Sequence, residues 1–217
     1  QRQMCIRDRY GVLAIVIIGI LGIPASSFIA VLSAAGLTIG LAFQGSLSNF
    51  AGGVLILLFK PFKIGDFVKE DVHGNEGLVE GIDLFYTRMR TFDNKMVIIP
   101  NGSLANTSIT NYTANNKRRI EIKVGISYDS DMKRAKDILM NVINSQDGIL
   151  KNEDNKVYVD ALEESQITIG TMAWVMTDDY WKIKWELTEK FKNALDDAGI
   201  EIPFNQLSVT INEKQRK

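Results

Sequence analysis

Residues 27–59 read SFIAVLSAAGLTIGLAFQGSLSNFAGGVLILLF, a stretch without a single Asp, Glu, Lys, Arg or His. The uncharged run begins earlier, at Tyr10, and lasts for 50 residues to Phe59, although the chain of 217 residues carries 25 Lys plus Arg against 26 Asp plus Glu. Soluble domains intersperse their charges. A run of this length is membrane material, because a spanning helix needs about 20 consecutive apolar residues. From Lys60 onward the charge density is that of a soluble protein, with acidic residues outnumbering basic ones by 25 to 22.

That soluble part excludes several functions. One Cys in the chain rules out a disulfide framework and a Cys-based zinc site, and the lone His73 leaves no His cluster for a metal and no choice of His for a Ser-His-Asp triad. Asp129 and Asp131 lack the glycine and terminal glutamate of a calcium loop. The slightly acidic balance argues against a nucleic-acid partner, which calls for a basic surface. No P-loop, dinucleotide fingerprint or nucleophile–base pair is found, so neither an enzyme nor a cofactor or metal is expected.

Within the uncharged run, residues 10–23 form a block too short to span a bilayer, and residues 1–9 are an unassigned flank, a cloning remnant or an assembly error. Because the chain starts at Gln1 rather than Met, a piece of a longer protein is expected. Pro24, followed by Ala25, Ser26 and Ser27, breaks the run and supplies a turn and an N-cap for a helix over Ser27 to Gln44. Gly45 interrupts that helix. A second helix then follows to Phe59, with Ser46, Ser48, Asn49 and Gly52 more polar than Leu47, Phe50, Val54, Leu55 and Leu58, as suits a helix lying at the interface. Lys60 and Lys63 put this end in the cytoplasm.

The first of the two helices is crowded with small residues. Ala30, Ala34 and Thr38 recur at i+4, as do Gly36 and Gly40 on a neighbouring stripe, so the bumps of one copy fit the grooves of the next and a ring results. Leu37 and Leu41 share a face that in a ring points at the axis, where two stacked leucine rings make a constriction that gates by dewetting. The alternative at this point is an ordinary transmembrane helix whose glycines pack within its own bundle.

The run Ala34 to Val54, the following KPFKIGDFV from Lys60, IIPNG from Ile98 and GISYDSD from Gly125 together resemble the small-conductance mechanosensitive channel family (MscS), in order and over about residues 10–212. The resemblance implies a homoheptamer whose Ser27–Gln44 helices line the pore. Leu37 and Leu41 stand where the family closes its pore and Gly45 where it kinks. Ala30, Ala34 and Thr38 correspond to its knobs, and Ser33, Gly36 and Gly40 to its grooves. Thr38 replaces a common alanine and Ser33 a common glycine, both bulkier and polar, which puts the opening tension in question. The family's first transmembrane helix and part of its second, the tension-sensing paddle, have no counterpart in these residues.

The soluble part reads independently as short strands, then an α+β unit. Strands are expected over Asp66–Glu70, Glu76–Asp83, Phe85–Phe92 and Met96–Ile99, with turns at His73-Gly74-Asn75, Asp93-Asn94-Lys95 and Pro100-Asn101-Gly102. Five short strands in all are expected within Ile64–Asn111, these four among them, and make a small barrel, which the resemblance implies is an Sm-like β domain over residues 60–112. Residues 113–201 follow as a ferredoxin-like α+β domain: strand Arg119–Ser127, helix Asp131–Ser145, strands Lys156–Leu162 and Gln166–Met176, and helix Asp179–Ala198 ending at Gly199. Ile200–Asn212 is expected as a last strand, residues 202–217 being strand and tail, which by the resemblance closes the base of a hollow cage.

Smaller features take modest readings. His73 is a solvated turn residue. The Asn101, Asn106 and Asn111 glycosylation patterns are incidental in the cytoplasm. Trp174, Trp181 and Trp185 pack in the core or between subunits, and Lys117, Arg118 and Arg119 are a solvated cluster rather than an anion filter. The expected function is a multi-pass channel of the cell inner membrane, partnered by lipids and by copies of itself, that opens under tension and releases ions and small osmolytes on hypo-osmotic shock. The alternatives are a membrane-anchored binding module and a ligand- or voltage-modulated channel of the same fold.

Overall fold

The computed structural model describes residues 25–207 and, before them, residues 9–10, 12–13, 16–17 and 19–20, all of these helical. Pro24 and most of the 1–9 flank lie outside the described residues. Two compact units divide the chain between Asn111 and Tyr112.

In the first unit a single helix, α1 (Ala25–Phe59), runs unbroken for 35 residues. This corrects the two-helix expectation: Ser27 is already helical, and the chain passes through Gly45 without leaving the helix. A lone glycine costs a helix only about 1 kcal/mol relative to alanine, too little to end one whose hydrogen bonds continue on both sides. Termination comes at Lys60, which turns left-handed at φ 49°, and whose N–H bonds the Ile56 carbonyl at 2.8 Å. Pro61, next in sequence, prevents the helix from resuming.

Five antiparallel strands follow: β1 (Phe67–Glu70), β2 (Glu76–Ile82), β3 (Tyr86–Arg90), β4 (Met96–Pro100) and, after the short helix α2 (Asn101–Ala105), β5 (Ile109–Asn111). They form one sheet in the order β4-β3-β2-β1-β5. No ladder joins β4 to β5 among the described residues, so the expected barrel is an open five-stranded sheet within this chain. The Pro100-Asn101-Gly102 turn is in fact the entry to α2. Val68, Val79, Met89, Ile99 and Leu104 fill the core, and Ile56 and Phe62, from the end of α1 and the connection after it, complete it. The last turns of α1 are therefore part of the β domain's core.

The second unit contains β6 (Lys117–Ile126), α3 (Met132–Ser145), β7 (Lys156–Leu162), β8 (Ile167–Met176), a 3-10 turn (Thr177–Asp179) and α4 (Tyr180–Asp197). Asp131 caps α3, its carboxylate accepting the N–H groups of Lys133 and Arg134 at 2.9 and 3.0 Å. Ala135, Leu139 and Ile143 of α3, and Tyr180, Ile183, Leu187, Phe191 and Leu195 of α4, recur at helical spacing and are buried with the sheet's isoleucines. The sheet order is β6-β8-β7, all antiparallel. A ferredoxin-like unit completes that order with a fourth strand beside β6. Here the expected final strand is absent from Ile200 to Leu207, and residues 208–217 lie outside the described residues. Extended backbone becomes a strand only where a neighbour takes up its polar groups, and this segment makes one such bond to β6's end, from Ser127 N–H to the Glu201 carbonyl at 3.0 Å.

Candidate pore helix and its seat

Helix α1 has two regimes. Every residue from Ser26 to Ser48 is exposed except the half-buried Phe28. Beyond Ser48 a stripe at i, i+3, i+4 and i+7 turns inward: Asn49 is half-buried, and Gly52, Gly53 and Ile56 are buried. At 1.5 Å per residue the bare part is about 34 Å long, close to the roughly 30 Å hydrocarbon thickness of a bilayer. Among the described residues this is the one helix long and apolar enough to cross a membrane.

The residues singled out for the pore all lie on the bare part. Leu37 and Leu41 are 66% and 62% exposed, like the other large apolar side chains of the bare part such as Val31, Ile39 and Phe43. Ala30, Ser33, Ala34, Gly36, Thr38 and Gly40 are likewise uncovered. Among the described residues, and apart from the helix's own backbone, no atom comes within 4 Å of a Cβ built on Gly36, Gly40 or Gly45, so none of these neighbours requires a glycine there. The Thr38 hydroxyl donates to the Ala34 carbonyl at 2.9 Å, which absorbs its polarity within the helix.

The seat is built of close backbone approach. A Cβ on Gly52 would stand 2.5 Å from the Asn101 carbonyl oxygen, and one on Gly53 would stand 2.3 Å from the Leu84 carbonyl oxygen. The Asn49 side-chain oxygen accepts the Gly102 N–H at 3.0 Å, and Phe50 meets Phe85 with ring centroids 6.2 Å apart. The small and polar face of α1 thus docks on α2 and on the β2–β3 connection, while Leu47, Phe50, Val54, Leu55 and Leu58 remain exposed.

Under the seat lies Asn101, wholly buried. Its side-chain oxygen accepts the Thr87 hydroxyl at 2.8 Å, its amide donates to the Asp83 carbonyl at 2.8 Å, and its N–H donates to the Phe85 carbonyl at 2.9 Å. Sequence reading assigned Asn101 only to a turn and an incidental glycosylation pattern. Its polarity, next to a glycine and between apolar strands, was the available signal.

The charged features resolve into partners. Lys117 pairs with Glu153 at 2.6 Å and Arg119 with Glu121 at 2.6 Å, while the Arg118 guanidinium lies 3.6 Å over the Tyr180 ring. Trp181 and Trp185 are 43% and 66% exposed, so neither is a core residue. His73 is exposed in its turn, and its Nδ1 stands 3.3 Å from both oxygens of the buried Glu70 carboxylate. Burial alone would push the Glu70 carboxyl up; the N–H groups of His73 and Val72 and the His73 ring outweigh it and hold it below the usual carboxylate range. No three His, Cys, Asp or Glu side chains among the described residues converge as metal donors.

Residues 45–114 match the family described as "Mechanosensitive ion channel, beta-domain", and residues 120–202 match "Mechanosensitive ion channel MscS, C-terminal". A small-conductance mechanosensitive channel of Edwardsiella ictaluri is 43% identical over 204 residues, which cover 93% of this chain and 71% of that protein. The chain belongs to the MscS family. An uncharacterized MscS family protein of Buchnera aphidicola subsp. Baizongia pistaciae is 42% identical over 197 residues, 91% of this chain and 69% of its own length. The closed-state crystal structure of Helicobacter pylori MscS superposes with a TM-score of 0.83 at 34% identity, covering 89% of this chain and 76% of the other. These matches reach from α1 through both soluble units, so MscS membership rests on the candidate pore helix as well as on the domains beyond it.

Proposed function

We propose that this chain is the pore and cytoplasmic part of a homoheptameric channel that opens under bilayer tension and releases ions and small osmolytes on hypo-osmotic shock. Mechanosensitive channel function follows from the family. The finer reading is carried by one observation: α1 is bare over one bilayer thickness, with Leu37 and Leu41 exposed near the middle of that length, and seated on protein beyond it.

In this reading the bare halves of neighbouring copies pack through Ala30, Ala34 and Thr38 against Ser33, Gly36 and Gly40, leaving Leu37 and Leu41 at the axis. Tension shifts the equilibrium because the open ring occupies more membrane area than the closed one. At about 52 Å the whole of α1 exceeds the bilayer core, so a bend at Gly45, where a glycine is uncovered just before the seat, lets the bare part move while the seated part stays. Lys60 and Lys63 favour a cytoplasmic seat and an inner-membrane, multi-pass topology.

The full-length channel reconstituted in liposomes and recorded by patch clamp is expected to pass stretch-activated current. Absence of that current from an assembled heptamer would overturn the reading and favour a channel opened by ligand or voltage.

A further inference from the structure

A polar cavity of about 380 Å³ opens between the α3–β7 connection and the outer side of α4. We propose that it binds a small zwitterion, a molecule carrying an ammonium or quaternary ammonium group and a carboxylate. The proposal stands apart from the channel reading, since binding is read without current.

The cavity wall is already organised. Gly148 turns left-handed at φ 86°, and the position of its missing Cβ is 2.6 Å from Ile183 Cδ1, so the loop lies directly on α4. Gln146, 4% exposed, spends its whole amide on this junction. Its Nε2 donates to Glu186 Oε2 at 2.7 Å and to the Asp147 carbonyl at 3.1 Å, and its Oε1 accepts from Lys190 Nζ at 2.7 Å. One acidic and one basic group of the lining are thereby tied down through a buried neutral bridge.

Among the described residues, three charged groups of the lining make neither an ion pair nor a side-chain hydrogen bond: the exposed carboxylates of Asp147 and Asp179 and the exposed ammonium of Lys182. Their signs select the ligand. A simple anion meets two carboxylates, and a simple cation leaves Lys182 facing it with like charge. An apolar molecule finds almost nothing to contact, because Ile183 is the sole large apolar side chain of the lining. A zwitterion satisfies both signs at once and brings no net charge out of water.

Isothermal titration calorimetry of the intact detergent-solubilised protein, with glycine betaine and with alanine as probes, tests this. The expected result is saturable binding with a Kd on the order of 1 mM. Lys182→Gln and Asp147→Asn should each weaken it at least tenfold without moving the thermal midpoint, since neither side chain supports the fold. Spermidine and acetate, each carrying one sign of charge, should bind more weakly than either zwitterion. The proposal is overturned if neither zwitterion binds up to tens of millimolar, if the variants bind as tightly as the parent, or if spermidine or acetate binds as well.

Discussion

The Asn49 side-chain oxygen accepts the Gly102 N–H at 3.0 Å, across 53 residues of chain, and so ties the candidate pore helix to the β domain one helical turn beyond Gly45. Gly102 lies in the first turn of α2, whose N–H groups have no partner within the helix, so the bond satisfies a donor that would otherwise be buried unpaired. The same turn of α1 carries Gly52 and Gly53 against two carbonyl oxygens. Three contacts on one face make the end of α1 and the β domain move together.

Adding a methyl at the seat should separate them. Gly52→Ala places its Cβ 2.5 Å from the Asn101 carbonyl, a backbone atom that cannot swing aside. Overpacking of this kind costs about 1–3 kcal/mol, expected as a lower midpoint in denaturant unfolding of the intact protein. Gly36→Ala and Gly40→Ala meet open space among the described residues and should leave that midpoint unchanged or raise it. A shift in opening tension from these two would then report contacts between copies.

Asn101→Ala should destabilise the β domain by more than its own lost contacts. It leaves the buried Thr87 hydroxyl without its partner and removes the bond to the Asp83 carbonyl, and an unsatisfied buried group such as that hydroxyl costs about 1–3 kcal/mol. Thr87→Val combined with Asn101→Ala removes the stranded hydroxyl as well. The double variant should be less destabilised than the sum of the singles, and additive losses in unfolding free energy would argue against the bond.

The contrast between α1 and the soluble part shows what was legible. The strands from Phe67 to Pro100 and the elements from Lys117 to Asp197 followed, to within a few residues, from alternation, turn residues and the Asp131 cap, all local signals, whereas α2 and β5 between them did not. Gly45 misled because a glycine marks where a helix is able to break, whereas breaking requires something to gain from the other conformation. The seat was missed for a different reason: Ser48, Asn49, Gly52 and Gly53 make a polar stripe whether they face headgroups or α2. Only the fold brings Asn101 and Leu84 within reach of them. The final strand failed as a reading of one chain, since its described half has a single neighbouring backbone bond.

Stability toward acid should depend on Glu70. Its folded carboxyl is held below the usual carboxylate range, while the unfolded value is about 4.3. A group whose folded pKa is depressed contributes stability that is present above the unfolded pKa and disappears as pH falls through the folded one. Glu70→Gln should therefore lower the unfolding midpoint at pH 7, and the gap from the parent should narrow below about pH 4. A gap that stays constant from pH 7 to pH 3 would show that the charge is immaterial.

The gate assignment is open to a test of face as well as of depth. Leu41→Ser replaces an exposed isobutyl group with a hydroxyl on the stripe shared with Leu37. If that stripe surrounds the axis, water enters the constriction more readily and the closed state loses its dewetted barrier. Patch recordings should then show opening at lower tension, with Leu37→Ser acting in the same direction. Leu32 serves as the control, being exposed at 56% but about 140° around the helix from Leu37 at 100° per residue. Leu32→Ser should leave the threshold near the parent's. Equal effects from Leu32 and Leu41 would mean that polarity anywhere on the bare helix eases opening, and an unchanged threshold in Leu41→Ser would remove these leucines from the gate.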